Sequence, residues 1–134
     1  MKMSSKARYG LYVAVELAKN YSDDVLVNVA SLSQSTGITE KYLEQIIALM
    51  KRADIVCATR GASGGYKLTD SPENITVGRV LRAVEDNLEI VDCLHSGCAN
   101  HTKCVARSLW GKLYDNINSY LDTITLTQLA EDNI

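Results

Sequence analysis

The sequence predicts a mostly α-helical fold with a small β-hairpin wing, in which a winged helix-turn-helix is followed by one long helix. Three observations support this fold class. Two short helical segments meet at Gly37, a glycine-rich hairpin spans residues 55–68, and apolar residues recur at helical spacing from Val105 onward. A hairpin that directly follows two such helices is typical of the winged form of the helix-turn-helix.

Composition limits the class of protein before any motif is considered. The chain has 134 residues, so we expect one domain or one compact two-lobed unit. The apolar fraction, 46%, is ordinary for a globular chain. The first residues lack a signal-peptide pattern and no stretch is apolar enough to span a bilayer, so we expect a cytoplasmic protein. In that reducing compartment, clustered cysteines are metal ligands or redox groups more often than disulfides.

The charge distribution argues weakly against a nucleic-acid partner. The net charge is −2. Residues 1–70 carry nine Lys/Arg and seven Asp/Glu, whereas residues 71–134 carry five and nine. Any contact with DNA must therefore come from a local basic patch rather than from the charge of the whole chain.

The first elements are expected to be two helices around a short extended segment. Residues 7–20 form an apolar helix whose pattern predicts burial on several sides. Residues 25–27 are β-like and could form an edge strand. Asn28 is a suitable N-cap for a second, short helix, and Gly37 stands where a left-handed residue is favoured after a helix.

A third helix is predicted from its cap, Thr39, to about Arg52. Its apolar stripe consists of Leu43, Ile46, Ile47 and Met50. Its opposite side consists of Lys41, Glu44, Gln45, Ala48 and Arg52. Lys41, Glu44 and Gln45 lie near the N-terminal end, where the side chains of a recognition helix contact base edges. The alternative is the solvated polar face of an ordinary surface helix.

The next segment predicts a wing. Residues 55–59 and 66–68 are strand candidates joined by a tight turn. Arg60 at the tip could enter the minor groove or contact phosphates, and the glycines allow close backbone approach. The turn lacks the spacing and the Lys-Ser/Thr ending of a phosphate-binding P-loop. Cys57, inside the first strand, is expected to be a small core residue, with a redox role as the alternative.

Two further helices are expected after the wing, followed by a short one at residues 126–130. Thr76 can cap a helix that ends at the acidic residues 85–86. From Val105, a helix of about eighteen residues, about 27 Å long, carries a wide apolar face. A small domain has little surface to cover that face, so we expect packing against the same helix of a second copy. The alternative is an intramolecular core helix.

A polar stretch between these two helices holds three of the four cysteines. Cys93, Cys98 and Cys104 are separated by four and five residues, and no hydrophobic period predicts a helix or strand there. Their thiolates could converge on a soft metal or an iron–sulfur cluster. His95 or His101 could instead complete a zinc site, and an unliganded loop or a disulfide are further alternatives. The cysteines have no recognisable paired base and form no Cys-x-x-Cys motif. Nucleophilic catalysis is therefore not favoured, and we do not expect an enzyme.

With these residues noted, the chain resembles the Rrf family of bacterial winged-helix transcription regulators over nearly its whole length. The segments that carry the resemblance are residues 5–9, 42–45, 60–66 and 124–126, together with the three cysteines. The resemblance implies a homodimer with crossing long helices and a palindromic operator in double-stranded DNA. It also implies an iron–sulfur cluster, 2Fe–2S or 4Fe–4S, that alters DNA affinity in response to cluster status, oxygen, nitric oxide or redox state.

The resemblance also implies site residues. The cluster iron would be held by Cys93, Cys98 and Cys104. The DNA-binding residues would be Lys6, Lys41, Tyr42, Glu44, Gln45, Arg60, Gly61 and Ser63.

The chain departs from the family pattern at two points. The family's loop typically has five residues in both gaps, whereas the first gap here has four. Arg107, three positions after the last cysteine, stands where one group of members has a histidine ligand, and a protonated guanidinium cannot ligate iron. His95, His101, an acidic side chain of the partner subunit or an exogenous small ligand could take that position.

We therefore expect a transcription regulator in two parts, whether a repressor or an activator. Residues 1–75 would form a winged helix-turn-helix DNA-binding domain, and residues 76–134 a cluster-binding loop with a dimerisation helix. One alternative is a cluster-free or zinc-bound regulator of the same family that acts through a partner protein. Another is a thiol redox protein that uses Cys57 and the loop cysteines.

Overall fold

The structure is a computed structural model that describes residues 2–134, so Met1, the first residue of the predicted DNA-binding part, lies outside the described residues. The elements in chain order are α1 (Ser5–Lys19), α2 (Val29–Thr36), α3 (Glu40–Arg52), β1 (Val56–Thr59), β2 (Gly65–Leu68), a 3₁₀ turn (Pro72–Asn74), α4 (Val77–Val84), α5 (Arg107–Thr123) and α6 (Leu126–Ala130). The predicted fold class, mostly helical with one hairpin, is confirmed.

Side-chain caps set where several of these helices begin. Asn28, Thr39 and Thr76 each accept a hydrogen bond from the backbone N–H three residues further on, as their positions predicted. Gly37 ends α2 with a left-handed φ of 73°. Helix α1 begins two residues before the predicted start because Ser4 caps it by accepting a hydrogen bond from a backbone N–H.

The core lies between α1, α2, α3, the hairpin and α4. All four predicted apolar positions of α3 are buried: Leu43, Ile46, Ile47 and Met50. Helix α1 contributes a single buried stripe, whereas Tyr12 on the same helix is 50% exposed. Tyr9, Leu11 and Ala18 are half-buried beside this stripe, and α1 packs against α2, α3, α4, α6 and β2, so the expected burial on several sides is confirmed except around Tyr12.

The hairpin pairs β1 with β2 in antiparallel register, from Val56 opposite Leu68 to Thr59 opposite Gly65. Of the predicted extended segment at residues 25–27, one residue pairs with the hairpin. Val27 and Tyr66 exchange two backbone hydrogen bonds of 2.9 and 2.8 Å. Cys57 is half-buried and lies outside the core, so its expected core position is wrong; its neighbour Val56 takes the inward position on the strand.

The C-terminal elements pack back onto the first half of the chain. Helix α4 packs against α1 and α3, α6 packs against α1, and α5 lies along α4. An isolated bridge between Thr76 and Thr125 joins the start of α4 to the segment after α5. Helices from both sides of residue 75 contribute to one core. The division into two parts after residue 75 stays a prediction. Within residues 2–134, no helix is both long and apolar enough to cross a lipid bilayer.

Candidate nucleic-acid interface and cysteine loop

The polar face of α3 is turned to solvent. Lys41, Glu44 and Gln45 are exposed in its N-terminal half, on the side opposite the buried stripe. Their side chains offer a cation, an anionic acceptor and a bidentate amide, which are groups that match base edges in a major groove. The predicted orientation of the helix is confirmed, and the DNA contacts of these three residues stay a prediction.

Two other residues expected at the DNA surface, Lys6 and Tyr42, are half-buried. The ring of Tyr42 packs edge-on against Tyr9 of α1, with ring centroids 5.7 Å apart. Such aromatic pairs stabilise by about 0.5–1.5 kcal/mol beyond the area they bury. Tyr42 therefore helps to fix the position of α3 against α1, and its predicted role at DNA is not tested by this contact.

The tip of the hairpin exposes Arg60, Gly61 and Ser63. Gly61 has a φ of 118°, which other residues rarely adopt. A Cβ on Gly65 would lie 2.7 Å from the backbone oxygen of Val27, so this glycine permits the close approach of two backbones. Gly61 therefore allows the turn and Gly65 the contact between β2 and Val27, and the exposed guanidinium of Arg60 at the tip is available to a phosphate.

The three loop cysteines lie between α4 and α5 on a series of turns. Cys93 and Cys98 are half-buried, Cys104 is exposed, and all three are free thiols. Among residues 2–134, no three His, Cys, Asp or Glu side chains come close enough together to hold a metal ion. The structure thus brings the cysteines into one loop and does not bring their sulfur atoms to one point.

The donors nevertheless fit an iron–sulfur cluster in kind. Three accessible thiols on one connector are the soft ligands that such clusters use, and none of them is taken up by a disulfide. The connector is made of turns outside the buried core, so its backbone can rearrange without unpacking that core. Metal binding is coupled to folding, so binding can order the segment that carries the ligands.

Several contacts hold the loop against α5. The guanidinium of Arg107 donates to the backbone oxygens of Cys93 and Leu94, at 3.5 and 3.2 Å. His95 pairs through Nδ1 with the carboxylate of Glu89, and its ring lies edge-on to Tyr114 with centroids 5.4 Å apart. Sequence reasoning missed Glu89 and Tyr114 because neither belongs to a motif. The position of an acidic residue four before the first loop cysteine was the only signal.

His101 has a different environment. Its Nδ1 donates to the backbone oxygen of Cys98 at 3.0 Å, within the loop. His95, His101, Cys104 and Arg107 line one open pocket beside the start of α5. The pocket is therefore lined by the thiol of Cys104, the two imidazoles and the permanently charged guanidinium of Arg107.

Comparison with known proteins assigns the family. The family model Rrf2, described as an iron-dependent transcriptional regulator, matches residues 3–132. The chain belongs to the Rrf2 family. The HTH-type transcriptional regulator IscR of Aliivibrio salmonicida is similar, with 36% identity over 134 residues that cover 99% of this chain and 79% of that relative.

Solved structures of Rrf2-like regulators share the fold. CymR (YrzC), the global cysteine regulator of B. subtilis, has a TM-score of 0.80 and 35% identity, and the match covers 98% of this chain and 97% of CymR. IscR of T. potens has a TM-score of 0.80 and 33% identity, with coverage of 100% and 89%. The resemblance predicted from the motifs is confirmed.

Family membership also decides between classes of function. An Rrf2 protein is a DNA-binding transcription regulator and not an enzyme, so the thiol redox protein considered from the sequence is set aside. The winged helix-turn-helix is then a DNA-binding unit. The role of the cysteine loop is a separate question.

Proposed function

We propose that this protein is a homodimeric, iron–sulfur-cluster-dependent transcription regulator that binds a palindromic operator. The observation that carries the proposal is the position of three free thiols, Cys93, Cys98 and Cys104, on the single connector between α4 and α5. These thiols would hold the cluster, which when bound supplies iron that reacts with oxygen or nitric oxide and can be oxidised or reduced. Since a bacterial regulator must reach the chromosome, we also propose a cytoplasmic location.

The DNA-reading residues follow from exposure and position. Lys41, Glu44 and Gln45 on α3 would contact base edges in the major groove, and the wing residues Arg60, Gly61 and Ser63 would contact the backbone or the minor groove. Lys6 and Tyr42 are half-buried at the edge of the same surface, and we assign them contacts with phosphates.

The proposed dimer rests on α5. None of its residues is buried in the single chain, although Leu109 and Tyr120 are large apolar or aromatic residues that are 57% and 60% exposed. A second copy of α5 packed against this surface would remove both from water. A two-fold pair of recognition helices would then contact two half-sites, which is why the operator should be palindromic.

The loop can influence DNA binding because it joins α5 to α4, and α4 packs against the recognition helix α3. A rearrangement of the loop changes how the start of α5 sits against α4, and hence the spacing of the two recognition helices. The bias required is small, since about 1.4 kcal/mol between two states changes affinity tenfold.

The test is anaerobic purification of the intact protein with iron, sulfide and visible-absorbance measurements. Cys93→Ala, Cys98→Ala and Cys104→Ala should each lose the absorbance while remaining folded dimers. Cys57→Ala is the matched control, because it removes a thiol from the wing and should keep the absorbance. A colourless, iron-free wild-type protein that binds its operator at full strength would refute the cluster proposal.

A cluster-free or zinc-bound regulator that acts through a partner protein is the second candidate. It is favoured by the separation of the three sulfur atoms in the structure. It is also favoured by the likeness to CymR, the global cysteine regulator, whose name refers to cysteine and not to iron. The same anaerobic sample distinguishes the two candidates. Zinc without iron, together with unfolding of all three cysteine variants, would support a structural zinc loop.

A further inference from the structure

His95 is held by groups outside the cysteine loop. Its Nδ1 pairs with the carboxylate of Glu89, whose side chain is only 11% exposed. Its ring also lies edge-on to Tyr114 on α5. Because a carboxylate accepts hydrogen bonds, Nδ1 carries the proton in this pair, and Nε2 of the neutral ring keeps its lone pair.

We infer that His95 is the fourth protein ligand of the proposed iron–sulfur cluster and binds iron through Nε2. The inference rests on the proposed function, because it concerns the cluster held by the three cysteines. A metal-bound histidine usually donates its other ring N–H to a carboxylate or a backbone oxygen, which fixes the tautomer and makes the ring more basic. Glu89 stands in that relation to His95.

The environment of His95 distinguishes it from His101. His101 donates to the backbone oxygen of Cys98, so it moves with the loop that carries it. His95 is held from both sides of the loop, by Glu89 before it and by Tyr114 after it.

Arg107 supports the same assignment. It cannot ligate iron because it stays protonated, and its guanidinium instead donates to the backbone oxygens of Cys93 and Leu94. These bonds keep the segment that precedes His95 beside the first turn of α5. Ligation by His95 would therefore link the cluster to α5 as well as to the loop.

The experiment uses full-length protein labelled with ¹⁵N-histidine, reconstituted anaerobically, reduced and examined by pulsed EPR. Wild type and His101→Asn should both show hyperfine coupling to a histidine nitrogen, and His95→Asn should lose it. Coupling that persists in His95→Asn, coupling lost in His101→Asn alone, or an iron-loaded wild type with no histidine coupling would each overturn the inference. The last result would leave the cysteine-held cluster intact, whereas a wild type without any cluster would overturn both proposals.

Glu89→Gln provides a measurement that does not depend on the His95 variant. It should keep the histidine coupling, raise the reduction potential of the cluster and speed loss of iron to a chelator by about 10–100-fold. His101→Asn should leave both quantities unchanged. An unchanged potential and chelation rate in Glu89→Gln would show that the pair has no role at the iron, and the inference would fail.

Discussion

Arg82 of α4 forms an ion pair with Asp122 of α5, and its Nη1 donates a hydrogen bond of 2.9 Å to the side chain of Asn118, one turn earlier on α5. Gly78 faces the same carboxylate, and a Cβ there would overlap with it. These contacts set α4 and α5 side by side in antiparallel orientation. They also hold α5, the helix proposed to form the dimer, against α4, which itself packs on α1 and α3.

Replacing Arg82 should change stability only slightly. The side chains of Arg82 and Asp122 are 40% and 46% exposed, and ion pairs this exposed contribute about 0.2–1 kcal/mol. A double-mutant cycle with Arg82→Ala and Asp122→Asn, followed by urea unfolding, measures the coupling. A coupling energy of several kcal/mol would mean that the pair is buried in the working assembly.

Gly65→Ala should destabilise the wing. The added methyl group would lie 2.7 Å from the backbone oxygen of Val27, so the bridge between Val27 and Tyr66 must shift at a cost of about 1–3 kcal/mol. Gly111→Ala is the control, because nothing lies within 4 Å of a Cβ there and an alanine inside a helix is favoured by about 0.5–1 kcal/mol. Equal unfolding free energies for the two variants would contradict this account.

Arg60→Ala and Gln45→Ala should weaken DNA binding in different ways. If Arg60 contacts phosphate, its loss lowers affinity for every sequence and reduces the slope of log K against log salt by about 1. If Gln45 reads a base, its loss costs about 1–3 kcal/mol on the operator and relaxes preference at one position. Lys112→Ala, which removes an exposed charge from α5, should do neither. Fluorescence anisotropy with operator and random duplexes at several salt concentrations measures all three.

Leu109→Glu should separate the proposed dimer. Leu109 is 57% exposed in the single chain, and a carboxylate placed in an apolar interface is left without a partner. Light scattering after size-exclusion chromatography should report half the wild-type mass, with unchanged helical circular dichroism. Asp115→Lys alters the charge of another exposed position on α5 and should remain dimeric. A Leu109→Glu protein of full dimer mass would show that the copies meet elsewhere.

The carboxyl group of Asp70 should titrate below its ordinary range. Hydrogen bonds from the side chain of Asn74 and the backbone N–H of Ser71 lower the pKa of Asp70 from 3.8. Because the folded-state pKa is the lower one, its contribution to stability is present above about pH 3.8 and is lost as the pH falls through the folded pKa. Carboxyl-carbon NMR should show the depressed midpoint, and Asn74→Ala should move it upward. An unmoved midpoint in that variant would assign the effect to Ser71.

Local chemistry explains why most of the fold could be predicted. Caps at Asn28, Thr39 and Thr76, and the left-handed Gly37, act on backbone groups within three or four residues, so sequence alone reveals them. The apolar period of α3 similarly identified which of its faces is buried and which is exposed.

The parts that could not be predicted depend on contacts between distant segments. The half-burial of Tyr42 follows from its ring contact with Tyr9, 33 positions earlier in the printed sequence. The pairing of His95 with Glu89 and Tyr114 depends on how the connector folds back on α5, and no period or motif encodes that path. The cysteine spacing identified the ligands and carried no information on whether their sulfur atoms meet before a cofactor arrives.

The bridge between Thr76 and Thr125 holds the C-terminal end of α5 against the start of α4. The backbone N–H of Val77 donates to the backbone oxygen of Ile124 at 2.8 Å, and that of Leu126 donates to the backbone oxygen of Ile75 at 2.9 Å. These bonds join the C-terminal end of α5 to the N-terminal end of α4. The near end continues into the cysteine connector. With 17 residues, α5 is about 25 Å long, so a shift of the connector should displace the start of α5 more than its end, which these two hydrogen bonds hold.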